Sequence, residues 1–373
     1  MRAARRHMIS LSDLQKRIIW HLRVYGPTPR SQIAEALGQS NAAITRFSRE
    51  LIGLGLVQEE EQLLGQGRGR PMVPLGVSGD GAYAAGATCH PGWLEVVLID
   101  FAGKLLAQDV TPFHSAEPLA FATAVRDRLV ALAGRLGVTQ RRFLGLGVAV
   151  PGYLIGPDER RSVVTWLKGW HDVPLASFFD DALGLPVWIE NDGTAAALAE
   201  YYQERIVSAF RTALVFFLGH GVGGGLVAER DPYRGEFGNA GEIGRLFPGT
   251  IDRPSGIDLI VTLQGHGVDA NDLAGLDELL AEHHAIFSGW MDRVAQQLQH
   301  AIASGVAWLD PGAIVISGSL PTPLLDGLVD RLGRWEDAAY RAPRPKLFAS
   351  TLGSSAVCIG AGLVPIHAVT SRR

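Results

Sequence analysis

Cysteine is nearly missing. The 373 residues hold two, Cys89 and Cys358, far apart and outside any paired ligand spacing, which excludes a disulfide framework and a cysteine zinc site and sets the expectation of a reducing cytoplasm. No apolar run of export or membrane-spanning length follows the arginine-rich start, Met1 to Met8, so neither a signal peptide nor a membrane anchor is expected. There is no repeat of solenoid period and no low-complexity tract beyond glycine-rich turns. What the chain does have is 47% hydrophobic residues and 45 glycines, a composition that suits compact α/β structure in two or three domains better than disorder.

The net charge of −4 is unevenly spread. Met1 to Leu75 carries eleven Lys/Arg against six Asp/Glu, and such a basic segment ahead of an acidic body is a candidate polyanion-binding domain. Its pattern is helical. Leu11, Leu14, Ile18, Ile19 and Leu22 recur at helical spacing after Ser10 or Ser12, either of which can cap. A second helix starts near Pro29-Arg30, with Ile33, Ala34 and Leu37 inward, and stops at Gly38. A third follows Ser40, with Ile44, Phe47 and Leu51 on its buried stripe. Two helices around a glycine turn predict a helix-turn-helix. The third helix then exposes Asn41, Thr45, Arg46, Ser48 and Arg49, side chains suited to base edges and phosphates in a major groove. Leu56 to Glu60 and Met72 to Leu75 predict a hairpin wing. Its tip, Gly65 to Pro71, carries Arg68 and Arg70 in an Arg-Gly-Arg-Pro run similar to the AT-hook core, which sits in a narrow minor groove.

From about Gly81 strands alternate with helices: strands at Glu95–Asp100, Leu144–Val150, Val187–Ile189, Ala213–Leu218 and Ala313–Ile316, and helices near Leu119–Leu136, Thr194–Tyr202 and Met291–Leu309. The pattern predicts a two-lobed α/β body. The segment Trp188-Ile189-Glu190-Asn191-Asp192-Gly193-Thr194 is the most telling. It places a carboxylate, an amide and a second carboxylate at the carboxyl end of a strand, where open α/β sheets bind small ligands, and a polyol such as a sugar suits that set. Read alone, it is equally explained by Asp192 capping the following helix. The run Gly219-His220-Gly221-Val222-Gly223-Gly224-Gly225 after a strand leaves two readings open as well, a backbone cradle for phosphate or a tight hairpin.

Together these residues resemble the ROK family (repressors, open reading frames and kinases). The match runs through Val150-Pro151-Gly152, Leu185 to Asp192, Gly219 to Gly225, Gly238-Asn239-Ala240-Gly241-Glu242-Ile243-Gly244 and Ile314 to Gly318. The resemblance implies an N-terminal winged helix-turn-helix at 1–77 followed by an actin-like ATPase (sugar-kinase-like) body at 78–373. The body's lobes split near 192–200, and its C-terminal helix returns to the first lobe. It also implies that Asn191, Asp192 and Glu242 bind sugar hydroxyls beside Gly152, and that in kinases the Asp is the base for the attacking hydroxyl.

Two departures bear on chemistry. Counting back from Asp100 puts Thr88 where the family's kinases carry the first Asp of Asp-x-Gly-Gly-Thr-Lys, and His90-Pro91-Gly92-Trp93 where Gly-Gly-Thr-Lys stands. The magnesium organiser, the flexible turn and the lysine are all replaced, and His220 stands in place of a Thr in the second turn. Gly219, Gly221, Gly223 and Gly224 are then a vestigial phosphate loop, and neither ATP nor magnesium is expected. The family's zinc ligands are replaced as well, the His by Arg245 and the cysteines by Leu246 to Ile260, so no zinc is expected. Arg245 either touches the ligand, an acidic or phosphorylated one, or pairs with Glu242 or Asp258. His283-His284 is read as a solvated surface pair.

The expectation is a transcriptional regulator, a repressor, that binds a sugar or sugar derivative without phosphorylating it. Its partners would be a double-stranded DNA operator and a second copy of itself, as homodimer or dimer of dimers. The alternatives are an ATP-dependent sugar kinase with an accessory DNA-binding head, and a ligand-independent DNA-binding protein whose body only oligomerises.

Overall fold

The computed structural model describes residues 9–61, 72–249, 252–273, 275–334 and 343–371. The N-terminal head is built as its caps dictate. α1 (Asp13–Tyr25) starts from Ser12, whose side chain accepts from the Gln15 amide while Gln15 reaches back to the Ser12 amide, so Ser12 rather than Ser10 forms the capping box. After β1 (Thr28–Pro29), α2 (Arg30–Leu37) ends at Gly38 in the left-handed conformation, with its N–H turned onto the carbonyls of Ala34 and Glu35. α3 (Asn41–Gly53) is capped by Ser40, which accepts from the Ala43 amide at 3.2 Å. Ile18, Ile19, Leu22, Ile33, Ile44 and Leu51 close the core between the three helices. β2 (Val57–Glu59) and β3 (Pro74–Val77) pair antiparallel with Val57 opposite Val77, and β1 adds to the far edge of β3. Residues 62–71, including the tip with Arg68 and Arg70, lie outside the described residues.

The chain divides into two compact units. One comprises Met1–Val150, Ile155–Glu190 and Ala361–Arg373, and the other Pro151–Leu154 with Asn191–Gly360. The first unit therefore includes the helical head, and two contacts tie the head in. Arg23 donates to the carbonyls of Phe101 (3.0 Å) and Ala102 (2.9 Å). The Trp20 ring meets His367 edge-on at 5.6 Å between centroids.

Beyond the head the chain runs through β4 (Ala82–His90), β5 (Trp93–Asp100), β6 (Leu105–Pro112), α4 (Pro118–Leu136), β7 (Arg142–Val150), a ribbon of β8 (Gly152–Gly156) and β9 (Arg160–Val163), α5 (Leu175–Leu183) and β10 (Val187–Asn191). The sheet order is β10-β7-β4-β5-β6. Its core, with Val96, Leu98, Val125, Leu146, Trp170 and Phe179, is covered by α4 and α5.

The second unit has α6 (Asp192–Tyr201), α7 (Glu204–Val207), β11 (Ala213–Leu218), β12 (Val222–Ala228), β13 (Asp231–Pro232), α8 (Gly256–Gly265), α9 (Leu276–Leu280), α10 (His284–Leu309), β14 (Ala313–Gly318), α11 (Thr322–Gly333) and β15 (Lys346–Ala349), followed by α12 (Ala356–Thr370). Its strand order, read as β15-β14-β11-β12-β13, repeats that of the first unit. In each sheet an antiparallel meander extends to a strand parallel to its first member, β7 beside β4 and β14 beside β11. The Gly353–Thr370 stretch is long and apolar enough to cross a membrane by length and composition, but 78% of it is buried inside the protein, as befits a core helix.

Within this second core Glu200 is fully buried. Its Oε1 accepts from the hydroxyls of Ser317 (2.7 Å) and Ser350, and Oε2 has no hydrogen-bond partner. Burial pushes its pKa up from 4.5, against the smaller pull of the two serines and Arg205. A raised carboxyl pKa means that its contribution to stability is fully present below the unfolded value and is lost as pH rises through the folded value. Glu200→Gln should therefore gain in Tm over the parent progressively between pH 5 and pH 8. A difference that stays constant across that range would show that Glu200 does not titrate in the fold.

Candidate functional site

The carboxyl end of β10 and the start of α6 form one cluster with the Gly241–Leu246 loop. Asn191 rather than Asp192 is the helix cap: its Oδ1 accepts from the Thr194 amide at 3.1 Å. Its Nδ2 donates to the Gly152 carbonyl (3.1 Å) and to Glu242 Oε1 (3.3 Å). Asn191, Glu242 and Gly152, expected together, thus meet. Asp192, the first helical residue, keeps Oδ1 on its neighbour Gly193's amide at 2.9 Å. The motif residue without an assigned role is Asn239. Its side chain clamps both backbone groups of Leu154, accepting from the amide at 2.6 Å and donating to the carbonyl at 2.9 Å. This holds the loop against the Pro151–Leu154 segment. A cavity of about 340 Å³ opens here, lined by Tyr153, Asn239, Glu242, Ile243, Arg245 and Leu246. It has room for a small polyol and offers amide and carboxylate groups to its hydroxyls.

Arg245 makes neither of the ion pairs considered for it. Asp258 is committed elsewhere: buried at 2% exposure, its Oδ1 accepts from the Asp252 amide (2.6 Å) and its Oδ2 from Trp290 Nε1 (2.8 Å) and Arg293 Nη2 (2.5 Å). Glu242 and Arg245 share only the backbone bond of their 3-10 turn. The loop where relatives are read to carry zinc is organised instead around this one carboxylate. Among the described residues no group of three His, Cys, Asp or Glu is placed to hold a metal. His283, beside an exposed Glu282 at 4.0 Å, and the exposed His284 at the start of α10 stand apart from the cavity's lining.

The glycine run is a hairpin, not an open cradle. Gly219 and Gly221 turn between β11 and β12, whereas Gly223 and Gly224 lie within β12, opposite Phe217 and Phe216. The expected four-glycine loop is corrected in this respect. The strand glycines are there because α6 comes so close: a Cβ on Gly193 would stand 2.4 Å from the Gly224 carbonyl oxygen, and one on Gly225 2.5 Å from Ala197. The turn's carbonyls are capped from outside, Gly219 by the amide of Gly256 (2.7 Å) and His220 by that of Ile257 (3.3 Å). The first amides of α8, the groups that would attract an anion, are thus already used. Burial lowers the His220 pKa, only partly offset by Asp272, so the ring brings no charge to the turn at neutral pH.

In the first hairpin, Thr88 is buried and donates its hydroxyl to the Ala149 carbonyl (3.2 Å), and the His90 ring stacks on Trp93 with centroids 3.8 Å apart. Two stacked rings fill the turn where a phosphate-binding loop needs bare backbone. Burial pushes the intervening Cys89 thiol up to about 12.

On α3, Asn41, Arg46 and Arg49 are exposed and Thr45 half-buried, one polar face as expected. Arg46 lies over the Phe47 ring at 4.3 Å. Ser48 is a correction. It is fully buried, accepting from Arg30 Nε (3.1 Å) and donating to the Thr45 carbonyl (3.2 Å), so it braces the two helices and cannot reach DNA.

Comparison with known proteins places this geometry. The ROK family profile matches residues 94–256. By sequence the chain is similar to the uncharacterized protein y4fQ of Sinorhizobium fredii, 33% identical over 90% of this chain and 86% of that protein. It is 25% identical to the xylose repressor of Bacillus spizizenii over 64% of this chain and 60% of the repressor. With the bifunctional NanE/NanK enzyme of Brucella melitensis it shares 34% identity over 62% of this chain and 45% of the enzyme, so kinases are relatives as well. In fold, the crystal structure of a ROK family transcriptional regulator, a homologue of the E. coli MLC protein, covers 96% of both chains with a TM-score of 0.70 at 19% identity.

Proposed function

This chain belongs to the ROK family, and from that premise we propose that it is a DNA-binding transcriptional regulator, a repressor, whose body binds a sugar or sugar derivative without phosphorylating it. The observation that carries the proposal is a pairing of two sites. The Asn191 amide reaches Glu242, joining two of the residues proposed to hold the polyol, while the first hairpin is packed with His90 against Trp93. Phosphoryl transfer needs a positioned nucleotide and metal, whereas recognition needs only the cluster. The polar face of α3 supports a role for Asn41, Thr45, Arg46 and Arg49 in reading an operator, with Arg68 and Arg70 proposed for the minor groove. Domain bounds of 1–77 and 78–373 and assembly as a homodimer or dimer of dimers belong to the same reading. Effector binding would act by shifting the population of DNA-competent states.

The kinase reading keeps one observation in its favour, the Asp192 carboxylate next to Asn191 at the start of α6. The test measures retention of duplex fragments from the source genome, their release by a panel of sugars, and ADP release with the same sugars. Fragment retention that a sugar relieves, with no ADP release, is the expected result. Turnover abolished by Asp192→Asn would establish the kinase instead. DNA binding with no sugar-induced thermal shift, against the stabilisation that mass action requires, would leave only the oligomerising body.

A further inference from the structure

Arg245 is the one cation lining the 340 Å³ cavity. Its side chain is exposed, and among the described residues no carboxylate is paired with it. Other arginines of the same unit are paired: Arg293 with Asp258, Arg211 with Glu229, and Arg331 with Asp292. Asp258, one of the two acids considered as a partner for Arg245, already accepts three hydrogen bonds. Glu242, three residues back, is turned to the Asn191 amide. Glu242 and the Arg245 guanidinium thus sit on one short turn without neutralising each other. A neutral polyol could use Arg245 only as a donor to a hydroxyl and would leave its charge uncompensated. A guanidinium fork matches a carboxylate or a phosphate in geometry and charge.

We infer that the effector is an anionic sugar, a polyol bearing a carboxylate or a phosphate, with its hydroxyls on Glu242 and its acidic group on Arg245, both of which line the cavity. This rests on the sugar-binding reading above and narrows it. Repulsion from Glu242 orients the ligand, its negative end toward Arg245. Because the pair forms at an exposed site, its contribution falls with added salt.

The test uses the full chain and matched sets of sugars: glucose, glucuronate and glucose 6-phosphate; galactose, galacturonate and galactose 6-phosphate; N-acetylglucosamine and its 6-phosphate. Thermal shift and titration calorimetry are the readouts. The tightest member is expected to be anionic, with a Kd about tenfold below that of its neutral parent, the size of one charge-assisted contact. Arg245→Gln should erase that factor, so that within this variant the acid and its neutral parent bind with equal Kd, and Arg245→Lys should restore part of it. Uronate against phosphate within a set identifies the acid. A neutral sugar that binds as tightly as its acids, or an anionic preference that survives Arg245→Gln, overturns the inference and leaves the sugar-binding reading standing. No shift with any member overturns both.

Discussion

Asp258→Ala is expected to destabilise the second unit by about 3–5 kcal/mol, the cost of stranding one member of a buried ion pair. The carboxylate is 3% exposed and ties α8 to two other segments, the Asp252 backbone and α10, the latter through the Trp290 indole and the Arg293 guanidinium. Its removal leaves a buried indole N–H and a half-buried cation without their acceptor, and releases the loop that brings the first turn of α8 onto the Gly219 carbonyl. In a differential scan the change should appear as a drop on the order of 10 °C, from roughly 2–4 °C per kcal/mol for units of this size. Most of the penalty comes from the uncompensated charge, so the double variant Asp258→Ala, Arg293→Met should be more stable than Asp258→Ala alone. A Tm within a degree of the parent for the single variant would mean that the loop is held by packing and not by this carboxylate.

The sequence reveals that a metal-binding pattern is absent from this loop but not what replaces it. Asp258 and Arg293 are 35 residues apart on different helices, and nothing in local spacing pairs them. The three head helices were legible because their signals are local: Ser12, Gly38 and Ser40 cap and stop them as the residue types require. Ser48 was misread from helical spacing, since its burial depends on Arg30, which arrives from another helix. The glycines of β12 show the same limit. A run of Gly-Gly-Gly states that backbone must be bare. Whether it is bare for a phosphate or for a helix is decided by Gly193, thirty residues earlier, resting on Gly224. β4 carries little strand signal in sequence because Ala82–His90 is mostly alanine and other small residues, with only Tyr83 and Thr88 of the types that favour strands. The repeated strand order of the two units leaves no trace in the sequence because topology constrains burial pattern and not residue identity.

Gly360→Ala should uncouple effector binding from DNA release. α6 begins at Asn191 and Asp192, the residues proposed for the polyol, and one turn later the Ala195 carbonyl oxygen lies where a Cβ on Gly360 of α12 would stand 1.8 Å away. The same helix continues into the first unit. There a Cβ on Gly147 of β7 would come within 1.8 Å of the Ala361 carbonyl oxygen, and His367 meets Trp20 of α1. α12 thus packs on α6 within the second unit and, past Ala361, on β7 and α1 within the first. A methyl group at Gly360 forces α6 and α12 apart, at a cost of about 1–3 kcal/mol for overpacking. On the proposed function, the variant should still bind sugar and still retain its operator, but sugar should no longer release the DNA. Trp20→Ala, which removes the contact at the other end of α12, should give the same phenotype with sugar affinity unchanged. Gly134→Ala, on α4 with nothing within 4 Å of an added Cβ, serves as the control and should leave the response intact. Calorimetry for the sugar and fragment retention with and without it give the readout. Normal release in both the Gly360 and the Trp20 variants would exclude α12 as the route of the response.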